Sequence, residues 1–268
     1  MPETIIPPNR LKKILAEGKC AVGTMVVELR QPAVTQMLSN AGFDFIIIDN
    51  EHGAFNIETI ADLSRAARLV SVTPIVRVPE STYTSIAQSL DAGAQGIMIP
   101  RITKASEVQD VVQILKYPPL GRRGCVVARG HTDFKSGPLA ETFERANEES
   151  MLVVQIETAE ALENLEELLS VRGVDVAFVG PTDLSMALGI PGEMDNPKLH
   201  AAIFQMIDIA RRQAIYPAIQ MNVLAHGLFW AERGMRMVSY NSEVGMLIRA
   251  GADATASLKE AFNRREAK

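Results

Sequence analysis

The chain has 268 residues, 47% of them hydrophobic and 22% charged, with a formal net charge of −5. That is enough apolar chain for one large core, and an acidic balance without a basic stripe argues against nucleic acid or an anionic membrane as partner. Cys20 and Cys125 are the only cysteines and form no CxxC pair, and no apolar run approaches the roughly 18 residues of a membrane span. The expectation is a soluble, cytoplasmic protein.

Residues 1–10 carry three prolines and no apolar core, and read as an N-terminal extension and not a signal peptide. Apolar, β-branched residues over 21–29 predict the first strand, and Pro32 opens a helix to about residue 40. The run Phe-Asp-Phe-Ile-Ile-Ile-Asp over 43–49 is the second, of the kind buried on both faces of a parallel sheet. Helical spacing over 57–70, a strand over 74–78, a helix over 82–92, a strand over 96–100 and a helix over 106–116 follow. An irregular stretch rich in Gly and Arg covers 120–137. A helix over 139–149 leads to the fifth strand, 151–157, and a helix over 161–170 to a sixth apolar run that stops at Gly180-Pro181-Thr182-Asp183. A helix over 197–213, strands over 215–220 and 235–240, and a last helix over about 257–268 complete the chain. Eight strands alternating with helices, without a linker, predict one α/β domain over 1–268, a (β/α)8 TIM barrel. A doubly wound sheet is the competing arrangement.

In a barrel, catalytic groups stand at the C-terminal ends of the strands. Those ends here carry Glu28, Asp49 with Glu51 and His52, Arg77, Arg101, Gln155 with Glu157, and Asp183. Glu157 and Asp183 close two strands joined by one helix, so both reach one rim and suit a divalent metal with hard oxygen ligands. The plainer reading, in which each acid caps the helix that follows, is equally open at this point. Gln155 lies two residues before Glu157 and shares its face. An acid close to His52 would fix its tautomer and raise its basicity. Arg77 in the barrel mouth would neutralise a carboxylate or an enolate, or else form a structural salt bridge to Glu28 or Asp49. No lysine ends a strand, which argues against a Schiff base, and no nucleotide-binding fingerprint is present.

Taken together, Asp49-Asn50-Glu51-His52, Val76-Arg77, Asp91-Ala92-Gly93, Gln155-Ile156-Glu157-Thr158 and Gly180-Pro181-Thr182-Asp183-Leu184-Ser185 resemble the HpcH/HpaI aldolases. These are metal-dependent pyruvate aldolases, such as 4-hydroxy-2-oxoheptane-1,7-dioate aldolase and 2-keto-3-deoxy-sugar-acid aldolases. The resemblance runs from about Cys20 to Ala256. It implies cleavage of a 4-hydroxy-2-oxo acid to pyruvate and an aldehyde, with Glu157 and Asp183 as ligands of Mg²⁺, Mn²⁺ or Co²⁺. By the same resemblance Arg77 holds the keto oxygen and the enolate, and Gln155 hydrogen-bonds nearby. His52, paired with Asp49, moves the proton, and the turn at Gly180, Pro181 and Thr182 receives the substrate carboxylate. Asp91 would reach a neighbouring subunit's site, which implies a homo-oligomer, trimer or hexamer, with the final helix packed on a neighbour. The stretch 125–137 departs from the family pattern and stands where the aldehyde would be chosen. Two other readings compete: a related metal-enolate enzyme, either an acyl-CoA lyase or a decarboxylating C–C bond-forming enzyme, and a non-catalytic barrel.

Overall fold

Side chains alternate across each strand, and a closed parallel sheet uses both sides. Phe45, Ile47, Ile75, Met98, Met151, Val153, Val176 and Phe178 pack inside the ring. Their neighbours Ile46, Ile48, Val76, Ile97, Leu152, Val154, Ala177 and Val179 pack outward against helices. The structure, a computed structural model, describes residues 5–266. Its strands are β1 (Ala21–Val26), β2 (Phe45–Asp49), β3 (Thr73–Arg77), β4 (Gly96–Ile99), β5 (Met151–Ile156), β6 (Val176–Val179), β7 (Tyr216–Met221) and β8 (Met237–Ser242). Each pairs in parallel with the next, and β8 returns to β1, so the predicted eight-stranded barrel is the fold.

The first helices are α1 (Arg10–Ala16), α2 (Ala33–Asn40), α3 (Ile57–Leu69), α4 (Tyr83–Ala92), α5 (Ala105–Leu115) and α6 (Leu139–Glu149). The second half carries α7 (Ala159–Glu163), α8 (Leu165–Ser170), α9 (Pro181–Ala187), α10 (Pro197–Arg212), α11 (Leu224–Glu232) and α12 (Glu243–Glu266). Asn56, Thr82, Thr158 and Asn196 start their helices as side-chain N-caps. Helix α1 was not anticipated; its Leu11 and Leu15 join the inner cluster and close the barrel floor. Gly23 makes room inside, since a Cβ there would stand 2.3 Å from the Phe45 ring.

The last helix begins at Glu243, well before the expected residue 257. Gly245 and Gly251 weaken the helical signal, and Leu247 and Ile248 stay exposed, so no buried stripe marks its first turns. Glu243 anchors this start. Its buried carboxylate accepts the backbone N–H groups of Val27 (2.9 Å), Glu28 (2.7 Å) and Leu29 (2.9 Å). Glu28 is thereby an exposed loop residue. Residues 1–4 of the N-terminal extension and 267–268 of the final helix lie outside the described residues. Among the described residues no helix is long and apolar enough to cross a membrane.

Candidate active site

Strand parity builds the site. Asp49 follows Phe45 and Ile47 inward on β2, and Arg77 follows Ile75 on β3. Gln155 follows Met151 and Val153 on β5, and Glu157 lies one step beyond on the same side. Phe178 on β6 does the same for Gly180. The apolar filling of the barrel thus gives way to a polar layer at the C-terminal mouth.

The register of β2 and β3 sets Asp49 directly beside Arg77. The guanidinium forks onto it, Nε to Oδ1 at 2.9 Å and Nη2 to Oδ2 at 2.7 Å, and Nη1 lies 3.1 Å from Glu51 Oε2. The side chains of Arg77 and Asp49 are only 10% and 3% exposed. Asp49 also accepts the backbone N–H groups of Glu51 (3.0 Å) and His52 (3.3 Å). Burial alone would raise the Asp49 carboxyl, but Arg77 and these amides outweigh it and hold it below the usual carboxylate range. One expectation is corrected here. Asp49 meets His52 through the backbone only, because Arg77 takes both carboxylate oxygens. The imidazole is 61% exposed, and its Nε2 lies 3.7 Å from Glu51 Oε1.

Glu157 is buried, and among the described residues no ion pair reaches it. Its Oε1 accepts the Arg101 backbone N–H at 2.9 Å, and Oε2 accepts a hydrogen bond from Gln155 Nε2. Burial pushes its carboxyl upward, the Arg101 amide opposes this, and the charges of Glu51 and Asp183 push it further up. The helix-cap reading of Glu157 falls away, since Thr158 Oγ1 takes that role by accepting from the Ala161 N–H at 3.0 Å. Asp183 sits exposed in the first turn of α9, a position that suits an acid whether or not it has a further task.

Gly180 is required by space. A Cβ there would stand 2.9 Å from Gln155 Nε2 and 3.0 Å from Glu157 Oε2, while its φ of −93° suits any residue. Pro181 has no N–H to offer, and the amides of Thr182 and Asp183 have no acceptor within their helix. A cavity of about 340 Å³ opens between Glu51, His52, Arg101, Glu157 and Asp183, with Met186 and Ala187 on its rim.

The donors fit a hard divalent cation. Glu157 is an anion that burial and two neighbouring acids leave short of positive charge, and Gln155 Oε1 is a buried acceptor without a partner. Among the described residues no three His, Cys, Asp or Glu side chains form a complete ligand set. Two carboxylates with waters is the arrangement Mg²⁺ commonly takes.

Two residues noted only as strand ends prove to be part of this layer. Glu51 bridges Arg77 and Arg101, and Arg101 reaches both Glu51 and Glu157. Their positions just past β2 and β4 were the available signal. Asp91 lies elsewhere: it ends α4 at the opposite face of the barrel and pairs with Arg123 at 2.5 Å. Residues 125–137 line no part of the cavity.

The description HpcH/HpaI aldolase/citrate lyase matches residues 24–250. The chain belongs to this family. Its aldolases are generally divalent-metal dependent. A hydroxypyruvate/pyruvate aldolase of Roseobacter denitrificans is 34% identical over 95% of this chain and 98% of its own length. A 4-hydroxy-2-oxo-heptane-1,7-dioate aldolase of Escherichia coli is 32% identical over 92% of this chain and 97% of its own. The crystal structure of an HpcH/HpaI aldolase from Desulfitobacterium hafniense superposes with a TM-score of 0.90 at 35% identity, covering 93% of this chain and 96% of that one.

Proposed function

We propose that this protein is a class II aldolase that uses a divalent metal to cleave a 4-hydroxy-2-oxo acid into pyruvate and an aldehyde. The observation that carries the reading is the grouping, in one barrel mouth, of a rigidly held Arg77 with the uncompensated acids Glu157 and Asp183, with no lysine in the cavity lining. A divalent ion held by Glu157 and Asp183, whether Mg²⁺, Mn²⁺ or Co²⁺, would act as a Lewis acid on the 2-keto oxygen.

The chain's own groups supply the rest. Three of the five Arg77 N–H groups are engaged by Asp49 and Glu51, leaving two for the keto oxygen and the enolate that develops there. Because both acids fix the guanidinium before substrate arrives, little reorganisation is needed as charge develops. The Thr182 and Asp183 amides receive the substrate carboxylate. Gln155 keeps Glu157 in place through its hydrogen bond. His52, beside Glu51 at the mouth, takes the C4 hydroxyl proton by way of a water as the C3–C4 bond breaks to aldehyde and enolate. Protonation of the enolate at C3 then releases pyruvate.

The same reading places the enzyme in the cytoplasm as a trimer or hexamer. Its support is the pair of free, exposed cysteines and the unburied Leu247, Ile248, Leu258 and Phe262 along α12. Asp91 would then face a neighbouring subunit's site. Coupled detection of pyruvate released from 4-hydroxy-2-oxo acids tests the function. EDTA should abolish release, added Mg²⁺ or Mn²⁺ should restore it, and Arg77→Ala and His52→Ala should each lower it. Full activity under chelation, or borohydride trapping of a substrate adduct, would overturn the reading.

A further inference from the structure

The structure assigns Arg101 the task of selecting the aldehyde: we propose that it recognises a carboxylate at the far end of the aldehyde partner. This rests on the aldolase reading of the site. Arg101 holds a φ of +56°, a conformation that residues with a side chain seldom adopt, and it does so at the end of the strand that faces the proposed metal acids. The conformation has two consequences. It turns the backbone N–H onto Glu157 Oε1 at 2.9 Å, and it leaves the side chain at the cavity mouth. Any residue tolerating that backbone could supply the first. Only a long cation supplies the second.

Arg77 and Arg101 are the two cations of this layer, and they differ in what they have left to give. The Arg77 guanidinium is buried and committed to Asp49 and Glu51. Arg101 is the only lysine or arginine lining the cavity, and its side chain is 71% exposed. Its one side-chain hydrogen bond runs from Nε to Glu51 Oε1 at 3.0 Å, which leaves both Nη groups unengaged among the described residues. Such an exposed ion pair contributes little to stability, so folding alone does not account for a strained arginine here. An open guanidinium fork matches a carboxylate in shape and charge. The keto-acid end of the substrate is already provided for at Arg77 and the α9 amides, so the group that meets Arg101 belongs to the other half of the substrate.

Aldol addition of pyruvate to succinic semialdehyde and to butanal, equal in carbon number and different in charge, reads the preference as a ratio of kcat/KM values. The parent enzyme should favour the charged aldehyde. Arg101→Gly, which keeps the backbone conformation and its N–H, should lower that ratio about tenfold, as expected for loss of one charge-assisted contact of about 1.4 kcal/mol. The loss should appear mainly in KM for succinic semialdehyde, and Arg101→Lys, with charge but no fork, should fall between. A parent that favours butanal, or a ratio equal in parent and both variants, would overturn the proposal. Deuterium exchange into the pyruvate methyl by the parent enzyme without any aldehyde checks the underlying reading separately: exchange without aldehyde selectivity refutes only the role of Arg101, whereas no exchange refutes both.

Discussion

Asp49→Asn keeps the size of the side chain and removes the charge that Arg77 holds. Arg77, 10% exposed, would retain Glu51 at 3.1 Å as its one remaining anion within ion-pair distance. Removing one member of a buried pair costs about 3–5 kcal/mol, and the surviving contact to Glu51 argues for the lower end, about 3 kcal/mol. In a chain of this size about 1 kcal/mol shifts the melting temperature by roughly 2–4 °C, so calorimetry at neutral pH should find the variant melting roughly 6–12 °C below the parent. The sign with pH is fixed. The folded Asp49 carboxyl lies below its ordinary value, so its stabilisation is present above the usual carboxylate range and is lost as pH falls through its folded value. The gap between parent and variant should therefore close in acid. A double-mutant cycle adds the decisive comparison. Asp49→Asn should couple to Arg77→Gln by at least about 1 kcal/mol and should be nearly additive with His52→Ala. A melting shift under about 2 °C, or equal coupling to His52, would refute the geometry described here.

Gly180→Ala puts a methyl group 3.0 Å from Glu157 Oε2 and should lower kcat by about 10–100-fold by displacing that carboxylate, with a far smaller effect on melting; parent-like kcat would contradict it. Gly23→Ala drives a Cβ into the Phe45 ring and should cost about 1–3 kcal/mol in urea unfolding, whereas an unchanged midpoint would show that the interior has slack. His131 is buried beside Arg123, and burial, followed by that charge, pushes its imidazole down to about 4. Its unfolded form binds a proton from about pH 6.5, so stability should fall between about pH 6.5 and 4 by up to about 3 kcal/mol. His131→Gln should remove that part of the acid sensitivity, and identical melting curves for both proteins across this range would count against the assignment.

The barrel was legible because its strands are buried on both sides and read as short apolar runs, such as Phe45 to Asp49. The polar strand ends were legible for the same reason: Asp49, Arg77, Gln155 and Glu157 interrupt runs that otherwise have no place for charge. Pairing was less accessible. Asp49 and His52 are close in sequence, but the register of β2 against β3 gives Asp49 to Arg77 instead. Arg101 had no assigned role because its left-handed backbone is a property of the turn, not of the residue type. The early start of α12 was hidden by glycines and by apolar residues that no element of this chain covers.

Binding of Mn²⁺ to chelator-stripped enzyme, followed by electron paramagnetic resonance, tests the central claim most directly. The account predicts one ion per chain, loss of that binding in both Glu157→Gln and Asp183→Asn, and pyruvate methyl exchange that rises in step with occupancy. Undiminished Mn²⁺ binding in both variants, or exchange that persists in the metal-free enzyme, would contradict it.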